Sequence, residues 1–232
     1  FGDEYSISAV SSVDYSRLLT NGGSYVGRIH YAGRDNGKGI QGQFEWSNPW
    51  TDKLSTRFDI AFSNKFFSKI AVNSSAQYIF MPTWEVEAGL GYRRFFEEQN
   101  FFNFNVGLSK ELADFKLSTK LNNFLLDSEG IRTYLYSLGF KGQYQMNNPR
   151  NYLLALASVG NSPDIEIINY QFYNSFNVFN AMVGAGIGHL ITKNIGANIV
   201  GTWYNYQSDN PNGENLLYRN FYNFYFQFNV SF

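Results

Sequence analysis

Alternation between apolar and polar residues is the feature that most constrains the fold of this chain. At its C-terminal end, every second residue from Tyr222 to Phe232 is apolar, and Asn, Tyr, Gln, Asn and Ser lie between them. The same period of two recurs in segments such as 40–46, 84–93 and 102–109. Strict alternation predicts β-strands with one apolar and one polar face. No window has a helical period, so the sequence predicts an all-β protein.

The length of the alternating segments predicts where such strands lie. Thirteen strands are predicted, at 5–16, 24–33, 37–48, 53–63, 67–80, 84–96, 99–110, 113–124, 130–144, 150–160, 177–190, 194–208 and 217–231. Strands of globular proteins average about 5–6 residues, whereas a tilted membrane-spanning strand needs about 9–11. Long alternating segments separated by turn residues are typical of transmembrane β-barrels. We therefore predict one domain, residues 1–232, folded as an antiparallel up-and-down transmembrane β-barrel.

Composition agrees with a wall that has one apolar and one polar face. Aromatic residues make up 19% of the chain, yet its mean hydropathy is −0.30. A soluble sandwich would need a second sheet over each apolar face, and it would have shorter strands. Segment 167–192 has no Asp, Glu, Lys or Arg, but Asn, Gln and Gly interrupt it. A spanning helix needs roughly 20 predominantly apolar residues, so a helix is rejected there.

The connections between the predicted strands predict an orientation. Taken alternately along the chain, these connections form two sets. The connections of one set are short (48–52, 81–83, 112–114, 146–150 and 192–194), and the other set includes the long segments 161–176 and 208–215. Outer-membrane barrels have short periplasmic turns and longer extracellular loops, so Phe232 is expected in the periplasm. Thirteen strands are an odd number, whereas bacterial single-chain barrels have an even number. One strand upstream of Phe1 would give fourteen, and an overcounted barrel of twelve is the alternative.

Several stretches resemble a known family. The segments "VDYSR…SYVGRIHYAGR" (13–34), "AGLGYRRF" (88–95) and "NYLLALASVGNSPD" (151–164), together with the aromatic C-terminus, resemble the YaiO-type outer-membrane β-barrels. The resemblance implies a barrel in the outer membrane of a Gram-negative bacterium. It also implies a strand before the segment that matches residues 1–18. The C-terminal alternation looks like the insertion signal read by the barrel-assembly machinery, carried by Phe226, Phe228, Val230 and Phe232.

The polar faces of the predicted strands carry charges of both signs. The predicted inward network comprises Arg28, His30, Glu45, Arg57, Asp59, Glu85, Glu87, Arg93, Lys116 and Lys120. One interpretation is an interior cross-braced by ion pairs and hydrogen bonds, and barrel interiors are polar by default. The other is a selective pore or a glycan channel, in which charges and polar donors filter solutes. The brace is favoured. Gly184, Gly186 and Gly188 share the inward face and are expected to leave room for bulky neighbours.

Composition also argues against several other functions. The chain has no cysteine, only two histidines and a net charge of −1, so neither a thiolate or histidine-rich metal site nor nucleic-acid binding is expected. No Ser/His pair is evident, and His189 has outward parity. We therefore expect no enzyme activity, no cofactor and no catalytic or metal-ligating residues. Loop carboxylates could instead bind divalent cations that bridge lipopolysaccharide, although scattered acids are more often merely solvated: Glu97, Glu98, Asp127, Glu129, Asp164, Glu166, Asp209 and Glu214.

The expected function is an accessory or structural barrel of an envelope complex. Its expected partners are outer-membrane lipid and lipopolysaccharide, the barrel-assembly machinery during biogenesis, and an envelope protein. A solute pore or glycan-export conduit is the alternative, and a membrane-embedded enzyme ranks last.

Overall fold

A computed structural model describes residues 9–34, 37–64, 67–96, 99–128, 130–148, 151–161, 180–208 and 217–230. Those residues form strands and turns, and none of them belongs to a helix long and apolar enough to cross a membrane. The strands are β1 (Ala9–Leu18), β2 (Ser24–Arg34), β3 (Gly37–Pro49), β4 (Leu54–Ser63), β5 (Ile70–Met81), β6 (Trp84–Arg94), β7 (Asn100–Leu112), β8 (Phe115–Ser128), β9 (Ile131–Gln145), β10 (Tyr152–Gly160), β11 (Asn180–Leu190), β12 (Ile195–Ser208) and β13 (Leu217–Val230).

The strands form one antiparallel sheet in sequence order, from β1 to β13. This up-and-down order confirms the predicted all-β fold class. Short connections allow it, because antiparallel neighbours can be joined by tight turns. Ala113 adopts a positive φ of 50° in the short turn between β7 and β8. Thirteen strands lie within the described residues, and a fourteenth upstream strand stays a prediction.

The end of β1 and the start of β5 differ from the predicted ones for identifiable reasons. β1 continues past residue 16 to Leu18, because the last residues of β1 pair with the first residues of β2. The turn after β1 closes through a hydrogen bond from the Leu19 amide to the Gly23 carbonyl (2.7 Å), with Gly22 at a φ of 81°. β5 begins at Ile70 rather than at residue 67, because Phe67 is buried in the preceding connection. Residues 5–8 of the predicted first strand lie outside the described residues.

The two faces of the sheet are inverted relative to a soluble protein. Large apolar side chains are exposed on one face, and Phe224 is 83% exposed while Val13 is 76% exposed. On the other face, His30 and Arg93 are only 1% and 2% exposed. Contiguous apolar surface of this kind attracts partners or aggregates in water, whereas lipid covers it in a transmembrane sheet.

The predicted insertion signal lies partly on that apolar face. Phe226 and Phe228 are 59% and 60% exposed. Phe232 lies outside the described residues, and Val230 is placed only as the last residue of β13. The role of these residues in insertion stays a prediction.

Two compact units can be distinguished within the chain. The first comprises residues from 1–80, 87–105 and 124–134. Its inward face holds most of the arginines and carboxylates of the predicted network. Phe101 and Phe124 stack there with ring centroids 5.0 Å apart, so apolar contacts also help to fill this interior.

The second unit comprises residues from 81–86, 106–123 and 135–232. Its interior includes an apolar cluster of Leu156, Met182 and Tyr204, which the expectation of a polar inward face did not foresee. Both faces of β10 carry apolar residues, and the more buried face, which includes Leu156, carries the cluster.

The inward glycines of β11 make room for larger neighbours, as expected. A Cβ at Gly186 would lie 2.8 Å from Val200 Cγ2, and one at Gly188 would overlap the ring of Tyr152. The prediction that these glycines accommodate bulky side chains is confirmed.

Candidate functional site

Arg28 joins three consecutive strands in the first unit. It lies opposite Asp14 of β1 and diagonally across from Glu45 of β3. Its Nε lies 3.2 Å from Asp14 Oδ2, and its Nη1 lies 2.8 Å from Glu45 Oε2. The three side chains are 18%, 30% and 15% exposed, so these charge-assisted hydrogen bonds are only partly screened by water. The arrangement cross-links β1, β2 and β3 on the inward face.

His30 lies between two polar neighbours on the same face. Its Nδ1 lies 2.6 Å from Ser12 Oγ, and its Nε2 lies 3.1 Å from Gln43 Oε1. One neutral tautomer satisfies both contacts, because Nε2–H donates to Gln43 while Nδ1 accepts from the Ser12 hydroxyl. The absence of an evident Ser/His pair in the sequence was therefore misleading. Strand register, rather than sequence spacing, brings Ser12 to His30.

The next strands of the first unit hold Asp59 and Glu87 against neutral amides. Asn73 Nδ2 donates to Asp59 Oδ1 at 3.0 Å, and Gln77 Nε2 lies 3.5 Å from Glu87 Oε2. Asp59 is 3% exposed. Neutral donors from β5 thus help to satisfy the carboxylates of β4 and β6.

Arg93 and Arg57 complete the predicted charges of the first unit. Arg93 is almost fully buried, and Arg57 is half-buried. On the same face as Arg93, Gly91 leaves space that the side chains of Asn73 and Asn103 occupy. Bulky polar groups therefore pack closely around the inward face of β6.

Lysines dominate the charged inward face of the second unit. Lys116 Nζ lies 3.5 Å from Glu111 Oε1 and 3.9 Å from Glu85 Oε2. Lys120 is 9% exposed, and Lys141 of β9 is exposed. These pairs are longer than the bonds of Arg28, so Lys116 is held less tightly.

The structure brings several residues of the predicted network together. Arg28 pairs with Glu45 in the first unit, and Glu85 pairs with Lys116 in the second. Five other members of the network also make contacts: Arg57, Asp59, Glu87, Arg93 and Lys120. Several partners of these residues were not singled out from the sequence: Ser12, Asp14, Gln43, Asn73, Gln77 and Glu111. The alternation of each strand contained a signal for all of them, because each has inward parity.

No metal or cofactor site emerges from the part of the chain that is described. No group of three or more His, Cys, Asp or Glu residues gathers there. Among the loop carboxylates considered as cation ligands, only Asp127 lies within the described residues, where Arg132 Nε approaches it at 3.4 Å. His189 is exposed, in agreement with its outward parity.

Comparison with known proteins identifies the family of this chain and solved structures of similar fold. The YaiO membrane beta barrel domain family matches residues 1–165. Among curated proteins, none matches this chain in sequence.

Solved structures of similar fold include three outer-membrane proteins. The NanC porin is 12% identical with a TM-score of 0.53, covering 96% of this chain and 99% of its own. A bacterial polysaccharide outer membrane secretin is 8% identical with a TM-score of 0.57, covering 97% and 80%. The anion-selective porin of Comamonas acidovorans is 8% identical with a TM-score of 0.51, covering 91% and 83%. At these identities the likeness concerns the fold.

Proposed function

Because this chain belongs to the YaiO membrane β-barrel family and lies in the bacterial outer membrane, we propose that it is an accessory or structural barrel of an envelope complex. The observation that carries this proposal is the pairing of Arg28 with both Asp14 and Glu45. Charges that select solutes must face the path of the solute. Here the guanidinium is directed at two carboxylates of neighbouring strands, which favours a brace. The mechanism is passive, because the rigid sheet would hold the loops between its strands in position to bind a partner.

Conductance of the purified full chain in a planar bilayer tests the proposal. We expect no steady, ion-selective current, because the guanidinium of Arg28 is directed at two carboxylates rather than left to interact with a passing solute. Cross-linking in intact cells, followed by extraction in mild detergent, should recover one stoichiometric envelope protein. A porin of the same membrane, treated identically, is the control. Steady conductance without a stoichiometric partner would contradict an accessory role.

A solute pore or glycan-export conduit is the second candidate. It is supported by the fold shared with two porins and a polysaccharide secretin. The two candidates differ in one measurement, because a conduit must conduct ions when it is open. In that case, replacing Arg28 by Met should change the ratio of cation to anion permeability.

We further propose that the contact between Ser12 and His30 is structural rather than catalytic. A nucleophilic serine requires a base and also a third group that orients the base, and Gln43 could fill that position. However, the contacts of His30 with Ser12 and Gln43 join β1, β2 and β3, just as the contacts of Arg28 do. A fluorophosphonate probe should therefore leave the protein unlabelled. Labelling that disappears in both Ser12→Ala and His30→Gln variants would overturn this proposal.

A further inference from the structure

One lysine of the second unit lies on the apolar, outward face of the sheet. Lys110 of β7 has the same parity as Leu108 and Leu112, which are both exposed. The other lysines and carboxylates whose side chains are described on the strands of this unit have inward parity: Glu85, Glu111, Lys116, Lys120 and Lys141. A cation is costly on a surface that lipid covers, unless it reaches a polar partner. Lys110 therefore needs a partner from outside the sheet.

The ammonium group of Lys110 lies over an aromatic ring near the end of the sheet. Its Nζ is 4.6 Å from the ring centroid of Trp84, a distance at which a cation is attracted to the ring. Trp84 is the first residue of β6, and Lys110 lies near the end of β7 at Leu112. Tryptophan at this level is typical of the lipid head-group region, to which lysine side chains also extend. In the described part of the chain, no carboxylate pairs with Lys110.

Small residues form a row across the outward face beside this lysine. The hydroxyls of Ser109 on β7 and Ser118 on β8 lie 2.9 Å apart. The same register places Leu117 of β8 opposite Lys110. Leu117 Cδ2 lies 3.6 Å from a Cβ placed on Gly142 of β9. From there, directly paired residues are small on four consecutive strands, and we call them the small-residue row: Gly142, Ala155, Ala185 and Gly201.

Larger side chains border the small-residue row on both sides. One neighbouring row contains Phe140, Ala157, Val183 and Trp203. The other contains Tyr144, Leu153, Ile187 and Ile199. At the far end, Phe224 of β13 lies opposite Gly201, and its ring is 3.5 Å from a Cβ placed on that glycine. The small-residue row is therefore the floor of a shallow apolar groove between Leu117 and Phe224.

The groove runs from the end of the strands toward their middle. Lys110 lies near the end of β7, whereas Gly201 lies near the middle of β12 (Ile195–Ser208). A phospholipid in a bilayer has the same polarity, with its phosphate at the interface and its acyl chains in the hydrocarbon core. The cation thus lies at the level of the lipid phosphate, and the groove lies at the level of the acyl chains.

We propose that Lys110, Trp84 and the groove bind one phospholipid, with its phosphate at Lys110 and an acyl chain along the small-residue row. Lysine binds phosphate as a point charge, and the chain gains packing contacts with the floor and walls of the groove. A second copy of this face would complement Lys110 less well, because its described outward side chains in this unit include no carboxylate. The site goes beyond the proposed accessory role, since it lies on the outer surface and requires no envelope partner.

Native mass spectrometry of the full chain, released from a non-ionic detergent, tests the site with dioleoylphosphatidylglycerol as the probe. We expect one lipid molecule to bind more tightly than any further ones. Dioleoylglycerol has the same acyl chains without the phosphate, so it should bind about tenfold more weakly. This comparison uses the unmodified protein and does not depend on how any variant folds.

Two variants with matched controls separate the phosphate from the acyl chain. Lys110→Gln should weaken binding of the phosphatidylglycerol by about tenfold and leave binding of dioleoylglycerol unchanged. Lys53→Gln removes the same charge from the exposed turn between β3 and β4, and it should bind like the unmodified protein. Ala155→Phe fills the groove and should weaken both lipids by about fivefold. Val159→Phe places the same ring on the same face of β10, away from the small-residue row, and should weaken neither.

Each outcome of these measurements decides the proposal. Equal binding of the two lipids by the unmodified protein, or equal losses in Lys110→Gln and Lys53→Gln, would overturn it. A dimer that Ala155→Phe dissociates would assign the groove to a second copy and would also overturn it. The measurements are independent of conductance and co-purification, so failure of the lipid site and failure of the accessory role are distinguishable.

Discussion

Replacing Arg28 by Met removes the cation that joins β1, β2 and β3. Hydrogen bonds to charged groups contribute about 1.5–3 kcal/mol each, and Arg28 makes two such contacts, with Asp14 and with Glu45. Because the three side chains retain 15–30% of their exposure, solvent offsets part of this sum. Two carboxylates are also left without their shared cation, and breaking a buried pair costs about 3–5 kcal/mol. We expect the free energy of unfolding to fall by about 2–4 kcal/mol.

Guanidinium-induced unfolding from phospholipid vesicles measures this loss, and two further variants make it specific. Arg132→Met removes an ion pair with Asp127 in which the arginine is 67% exposed, so it should cost less than about 1 kcal/mol. In the Arg28→Met background, adding Asp14→Asn and Glu45→Gln should recover stability to within about 1 kcal/mol of the original, because no charge is left uncompensated. An Arg28→Met variant as stable as Arg132→Met would refute the brace.

Four other substitutions test the packing, the lipid-facing surface and the assembly of the protein. Gly91→Ala should cost about 1–3 kcal/mol in the same unfolding assay, because its Cβ would overlap the Asn103 side chain. Gly42→Ala, which has no atom within 4 Å of its Cβ, should change stability by less than about 0.5 kcal/mol, and equal losses would contradict this packing. Phe224→Arg should destabilise the protein by about 2–4 kcal/mol in vesicles but little in detergent, and a neutral result in vesicles would show that lipid does not cover this face. Phe232→Ala should slow assembly by the barrel-assembly machinery, measured as the half-time of protease resistance, and an unchanged rate would remove its signalling role.

The fold could be predicted well because alternation persists along nearly every strand. In β6, apolar residues keep one parity from Trp84 to Tyr92, so the predicted strand 84–96 overlaps Trp84–Arg94 and differs only at its end. The exception at β5 has a physical cause. Phe67 continues the apolar pattern, yet its side chain is buried in the connection rather than placed on a strand.

The site was harder to predict, because parity fixes the face of a residue but not its partner. The sequence places Arg28 and Glu45 inward, and register decides that they meet. Register also brings Ser12, which lies 18 positions before His30, into contact with that ring.

The contrast between the inward charges of the two units follows from how a lipid-exposed sheet is stabilised. Lipid on the outer face removes much of the hydrophobic driving force, so interior polar contacts must satisfy one another. In the first unit they do so directly, since Arg28 is compensated by two carboxylates. In the second unit, Glu111 and Glu85 approach Lys116 at 3.5 and 3.9 Å, and Lys141 is exposed. A cation on an inward face is costly unless a carboxylate, water or a ligand neutralises it. Hence short ion pairs compensate Arg28 in the first unit, whereas longer ion pairs and water compensate Lys116 and Lys141 in the second.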